Sequence, residues 1–379
     1  MFIYCFFVIS HIVLAIFNWI KINPIAYTLI IMIPYSLVAF AFDPVQQARH
    51  GGGGVDLYRH FERIDLIRLG LGDDLYLEAP LSEGYMWLMA HLFSNNHFLP
   101  MISTWIFYGI AFIAILLTCQ YLKAGSDEKR LAIWFFIAFY QYFMLVSNIR
   151  YPIAVALFVL IFYFDVIKND RCAKFIYIIP LLLHPGVGLL LIIRILVAVR
   201  LKYSVFILSL LILLLLGNFE GIVQQLLGVL YFWPDLQVLA LGILFKLFTY
   251  NTENVYDLPL IYRILSLYAM AIYILILFIA YNYKCILLKN VKIYRMVVFA
   301  LICSFLGEIT NYMNGNFTER VLAIMPFLMA FIVADIFNNL NSKSAALRKF
   351  MKMLVMVTSS IYLFIHLFKV YITWIYLGL

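Results

Sequence analysis

Apolar runs long enough to cross a bilayer follow one another along almost the whole chain. They lie near 2–20, 25–42, 98–122, 131–147, 152–167, 203–217, 258–283, 293–311, 321–338 and 353–377. A hydrocarbon core about 30 Å thick takes about 20 apolar residues per helical span. Backbone polar groups meet no water at that depth, so each run has to be helical. A chain of 379 residues that is 66% hydrophobic and 12% charged, with a mean hydropathy of +0.99, is unlike any soluble globular domain. The expected fold class is therefore all-α: a polytopic transmembrane helical bundle of roughly ten spans plus a short helical hairpin. Residues 1–379 form a single integral membrane domain in this reading, with outer loops near 43–97 and 218–257.

Met1 to Ile20 has neither a basic start nor a small-residue cleavage site. It is expected to be a retained first helix and not a signal peptide. The stretch 175–198 is long enough to cross once, but His184-Pro185-Gly186 interrupts it. Proline removes a backbone donor and glycine loosens the chain, so the stretch either spans or turns back as a hairpin of two short helices. Charge favours the hairpin. With it, Lys21 and the segments 123–130, 168–174, 194–202, 284–295 and 343–352 share one side and hold most of the 27 Lys and Arg. The positive-inside rule makes that side cytoplasmic, and most of the 19 acidic residues then face outward. The net charge of +8 is thereby accounted for without nucleic acid, which is not an expected partner.

Two amphipathic stretches in the outward segments, Ser82 to Phe93 and Leu236 to Phe248, suit a membrane surface. The five cysteines (Cys5, Cys119, Cys172, Cys285 and Cys303) have no metal-ligand spacing and are expected to be inert thiols. No HExxH, paired-Asp or Cys/His cluster argues for a metal. The run Gly51 to Gly54 lacks the Gly-Lys-Ser/Thr of a nucleotide loop.

Charges set near apolar runs are where chemistry is to be sought. An arginine at the bilayer centre costs roughly 2.5–3.5 kcal/mol, so it belongs at an interface, in a wet cavity or beside an anion. Arg150 precedes Tyr151-Pro152, Arg263 follows Asp257-Leu258-Pro259, and Arg320 follows Asn316-Phe317-Thr318-Glu319. Each falls at the outer start of a helix, where free N–H groups and the dipole attract phosphate and guanidinium adds bidentate contacts. The bland alternative is an arginine that snorkels or pairs with a carboxylate such as Glu308 or Glu319. His184, at the hairpin tip, is a candidate base or anion contact, or else a histidine that simply bonds a freed backbone carbonyl. Asp56, Arg59, His60 and Arg63 fall at helical spacing after the glycines, and Tyr58 with them. That pattern suits sugar binding and equally suits a solvated helix. Glu83, with Tyr85 and Trp87, is a second carboxylate candidate.

In order and context these pieces resemble the Wzy/EpsG-type polysaccharide polymerases of bacterial envelopes. The resemblance rests on Gly54-Val55-Asp56-Leu57-Tyr58, then Glu83-Gly84-Tyr85-Met86-Trp87-Leu88 before the third span. Asn148-Ile149-Arg150-Tyr151-Pro152-Ile153-Ala154, Leu183-His184-Pro185 and Thr318-Glu319-Arg320 complete it. Pro185 stands where members often carry a small residue, and the glycine run is longer than usual.

The resemblance implies a glycosyltransferase of GT-C-like architecture in the bacterial inner membrane. It would act on undecaprenyl-diphosphate-linked oligosaccharide units at the outer face, with no nucleotide sugar, metal or other cofactor. A chain-length regulator and a flippase are the partners such an enzyme implies, beside membrane lipids. Arg150, His184 and Asp56 become the expected catalytic residues. Arg263, Arg320, Tyr58, Arg59 and Glu83 become diphosphate or sugar contacts. An O-antigen-ligase-like transferase and a flippase for lipid-linked sugars remain the competing expectations.

Overall fold

A computed structural model describes residues 22–42, 44, 56–71, 79–199, 260–309, 321–340 and 345–376. The run 2–20, the run 203–217, the stretch Leu236 to Phe248, the glycines 51–54 and Arg320 lie outside the described residues. So does the side chain of Arg263.

The described chain is all helical, without strands. In order, the helices are α1 (Pro24–Phe40), α2 (Asp56–Arg68), α3 (Pro80–Leu92), α4 (Phe98–Tyr121), α5 (Ser126–Phe139), α6 (Tyr142–Ser147) and α7 (Arg150–Phe162). A π-helical turn, Tyr163–Ile167, prolongs α7. There follow α8 (Ala173–Ile176), α9 (Ile178–Leu183), a 3₁₀ turn (Pro185–Val187) and α10 (Gly188–Ala198). The last five are α11 (Leu260–Asn282), α12 (Ile286–Lys289), α13 (Val291–Ile309), α14 (Met325–Leu340) and α15 (Ala345–Tyr376).

Among the described residues, three stretches are long and apolar enough to cross a membrane: Phe98–Tyr121, Arg150–Ile167 and Ile264–Asn282. Pro24–Phe40, Ala173–Leu183, Pro185–Ala198 and Met325–Leu340 are apolar but shorter. Burial sorts the helices into an inner and an outer set. Every residue from Met325 to Phe337 of α14 is buried, as is every residue from Leu131 to Phe139 of α5. Helices apolar all round belong in the middle of a bundle. They pack on each other and on α4, and α7 packs on α4 in turn. By contrast α1 shows Ile25, Leu29, Ile33 and Leu37 outward, each about half exposed, and turns Tyr27, Ile31 and Tyr35 inward. Residues four apart share one face, so this is a continuous apolar stripe. Helix α15 carries a similar one in Phe350, Met353, Val357, Ile361 and Phe364. Contiguous apolar surface on this scale calls for hydrocarbon or a partner, not water.

The apolar run 131–147 is not one helix. It breaks between Phe139 and Tyr142, where Tyr140 and Gln141 are extended. Tertiary packing outweighs propensity there. The Tyr142 hydroxyl donates to the Tyr35 carbonyl of α1, and the Tyr35 ring meets Tyr108 and Tyr142 edge-on at 5.1 and 4.9 Å. Aromatic pairs of this kind each contribute about 0.5–1.5 kcal/mol beyond their burial.

The stretch 175–198 does turn back. His184 is extended, its Nδ1 accepts the Gly186 N–H at 3.0 Å, and α10 packs on α13. The two arms close on the same residue: the Tyr177 hydroxyl and the Arg194 guanidinium both bond Asp165 Oδ2, at 3.2 and 2.7 Å. The basic segments that share a side in the charge count also meet physically at one end of the bundle. Arg130 donates to the Ile22 carbonyl, Asn338 to Leu122, Asn290 to Val166 and Arg295 to Val199, while Arg348 pairs with Glu128.

Candidate functional site

At the opposite end, four segments far apart in sequence converge on the start of α7. Asp56 opens α2, where an acidic residue suits the dipole, and Arg68 closes it. Arg68 then staples α2 to the turn after α3. Its guanidinium donates to Asn96 Oδ1 at 2.6 Å, to the Phe93 carbonyl at 2.5 Å and to the Ala90 carbonyl at 3.3 Å. One face of α2 buries Leu57, His60, Phe61 and Ile64. Helix α2 lies on α3 and touches α6, the short helix that delivers the chain to Arg150. Helix α3 packs in turn on α9, whose end is His184. The Tyr151 and His184 rings meet edge to face at 5.1 Å, which closes the circuit.

Arg150 is the first residue of α7, and no side chain caps that helix. It is half-buried. The other arginines withdrawn from solvent among the described residues all have partners: Glu83 for Arg63, Asp127 for Arg130, Asp165 for Arg194, the Val199 carbonyl for Arg295 and Glu128 for Arg348. Arg150 alone makes no hydrogen bond or ion pair among the described residues. A cation held so, at the start of a helix, is arranged for an anion.

His60 comes to this place from α2. It is 6% exposed, and its Nε2 is buried without a hydrogen-bond partner among the described residues. Burial, then the neighbouring charges of Arg150 and Arg59, holds its imidazole well below the ordinary value of 6.5, so the ring is neutral. Leaving a buried nitrogen unbonded costs about 1–3 kcal/mol, which in a folded protein asks for a reason.

His184 is differently placed. Its Nδ1 is occupied as the acceptor of the Gly186 N–H, so the neutral ring carries its proton on Nε2. That nitrogen can donate to an anion; it has no lone pair with which to take a proton. Of the roles that the sequence offers His184, the bond to a backbone group is the one formed, and the base is not open to it while Nδ1 holds that bond.

The remaining expected residues divide. Glu83 is buried and bonds Arg63 Nε at 3.2 Å, an ion pair across twenty residues of chain that locks α3 to α2. Its bond holds Arg63, and His60 lies one turn before Arg63 on the same helix. Arg59 is exposed and faces Asp56 at 3.6 Å, so both point to the rim and not into the cluster. Tyr58 is half-buried on α2. Arg263 stands in the first turn of α11, as its Pro259 suggests. Helix α3 turns Trp87, Leu88 and Leu92 outward, an apolar face suited to lie along a membrane surface.

Sequence reasoning set His60 on a helical face with Asp56, Arg59 and Arg63 but did not separate it from them. The available signal was Leu57, Phe61 and Ile64, which mark the buried face on which His60 also falls. No group of His, Cys, Asp or Glu among the described residues is arranged to hold a metal ion. No family model, curated protein or solved structure matches this chain.

Proposed function

We propose that this protein is a polysaccharide polymerase of the Wzy/EpsG type, spanning the bacterial inner membrane about ten times. It would join undecaprenyl-diphosphate-linked oligosaccharide units at the outer face. The observation that carries this reading is Arg150, a withdrawn cation at an uncapped helix N-terminus with no anion among the described residues. A diphosphate leaving group has the charge and the oxygen spacing for that position. His184, with its proton on Nε2, sits one aromatic ring away and supplies a second donor. Fixed positive groups there stabilise charge that grows on the diphosphate as the glycosyl bond breaks, which is where catalysis gains most. Arg263 and Arg320, at the starts of later helices, are supporting cationic groups, and Asp56, Tyr58 and Arg59 line the approach of the acceptor sugar. The amphipathic α2 and α3, beside helices long and apolar enough to cross a membrane, support a site at the depth of a lipid headgroup.

The test is the surface glycan of a deletion strain complemented with this chain or with Arg150→Ala. Long ladders from the wild type and single units from the variant, at equal membrane abundance, support the polymerase. Lipid-linked units held on the cytoplasmic side would instead make the protein a flippase, and normal ladders from Arg150→Ala would remove that residue from the mechanism.

A further inference from the structure

We infer that His60, on the amphipathic helix α2, is the base that takes the proton of the attacking sugar hydroxyl, with His184 confined to the departing anion. The inference rests on the polymerase reading and adds to it a second catalytic group. Three observations lead to it. Transfer to a sugar hydroxyl needs a proton acceptor, and His184 lacks one, because its Nδ1 is bonded to the Gly186 N–H. His60 Nε2 is buried and unbonded among the described residues, so its capacity to accept a hydrogen bond from a hydroxyl is unfilled. Helix α2 is held against α3 by the Arg63–Glu83 pair and against the turn at Asn96 by Arg68, and this fixes His60 beside the segment that ends in Arg150. The tautomer with its proton on Nδ1 presents a bare Nε2 lone pair. Shielding from water, with Arg150 and Arg59 as the charges around it, keeps that lone pair available at neutral pH. The Arg63–Glu83 pair one turn along is self-neutralising.

The acceptor hydroxyl gives its proton to His60 Nε2 as its oxygen bonds the anomeric carbon. The bond from that carbon to the diphosphate oxygen breaks, and its electron pair leaves with the diphosphate toward Arg150 and the His184 Nε2–H. The proton on His60 then passes to the released diphosphate or to water.

The experiment uses the full-length protein in detergent with lipid-diphosphate-linked repeat units, following elongation for the wild type, His60→Ala, His60→Gln and Arg150→Ala. His60→Ala and His60→Gln should lower turnover by about 10²–10⁴-fold, the usual contribution of a positioned base. Added imidazole should restore part of it in His60→Ala and none in His60→Gln, whose side chain fills the space. A misfolded variant has no such rescue. The acid limb of the turnover profile, set below pH 6.5 by His60, should vanish in the rescued variant at saturating neutral imidazole. Full turnover in His60→Gln, with Arg150→Ala inactive, would overturn the inference and leave the polymerase standing. A wild type that elongates nothing would overturn both.

Discussion

The two ends of the α7 helix carry charge in opposite ways. Arg150 and Asp165 are separated by roughly 22 Å of helix. At the Asp165 end, Asp165 Oδ2 takes bonds from Arg194 and Tyr177, Glu128 holds Arg348 and Asp127 holds Arg130. Even there the satisfaction is lopsided, since Asp165 Oδ1 has no bond among the described residues. At the Arg150 end the guanidinium has no described partner, and a buried imidazole nitrogen beside it has none either. Buried cations are expensive, and an apolar protein keeps one either because a carboxylate neutralises it or because something else will. The first kind tells about architecture. The second tells about ligands.

Substitution should separate the two kinds most sharply. Arg150→Ala is expected to abolish polymer while the protein accumulates normally. Arg194→Ala is expected to do the reverse, because stranding Asp165 in the interior costs about 3–5 kcal/mol. Thermal unfolding in detergent together with the glycan ladder reads both effects. A large loss of stability in Arg150→Ala would dissolve the distinction. Arg150→Lys refines it: retained activity means charge alone suffices, and little activity means the bidentate geometry of guanidinium is required.

A smaller effect follows at the Asp165 end. Replacing the pair together, Asp165→Leu with Arg194→Met, removes both charges at similar volume. Such exchanges are often neutral or stabilising by about 1–4 kcal/mol. The double variant should therefore regain most of the stability lost in Arg194→Ala and make polymer of normal length. An Arg194 that resists replacement in the paired background would have work beyond neutralising Asp165, and the contrast between the ends would weaken.

What was legible in the sequence follows the same division. Hydropathy marked the helices α1, α4, α7, α11, α13 and α14 to within a few residues, and the apolar part of α15 but not its basic first two turns, because burial in lipid or core demands long apolar runs. The turn at His184-Pro185-Gly186 and the common end of the basic segments followed from backbone chemistry and charge. The break at Tyr140–Gln141 did not, since it is held by Tyr35 and Tyr108, residues far off in the chain. Nor did the fates of neighbours on α2. Asp56, Arg59, His60 and Arg63 look alike at helical spacing, yet Arg59 is exposed, Arg63 is tied to Glu83 and His60 is shut in. Which face of an amphipathic helix meets protein is decided by partners that local sequence does not contain. Arg320 and the Arg263 side chain fall outside the described residues, so the sequence alone still speaks for them.

The acid response should differ between the ends as well. His60 stays neutral in the folded protein and takes up a proton near pH 6.5 once unfolded. Below that pH the unfolded chain binds the additional proton, so stability falls as pH drops, by at most about 1.4 kcal/mol per pH unit for this group. His60→Gln, which has no proton to take up, should lose this part of the acid sensitivity between pH 6.5 and 5. Unfolding midpoints across that range measure it. An unchanged slope would mean that His60 is charged in the folded state and that the Arg150 end already holds an anion.

The mildest expected change concerns His184, whose two nitrogens divide between structure and ligand. Asparagine at this position supplies a side-chain oxygen that can accept the Gly186 N–H, as Asn does in turns, but loses the donor on Nε2. His184→Asn should thus unfold within about 0.5 kcal/mol of the wild type, and His184→Ala about 0.5–2 kcal/mol earlier. Both should shorten the ladder to a similar degree without abolishing it, since Arg150 still meets the anion. If His184→Asn restores full-length polymer and only His184→Ala shortens it, the residue is a turn cap alone. The unpaired charge at this end then belongs to Arg150, and the paired-versus-unpaired contrast rests on that residue and on His60.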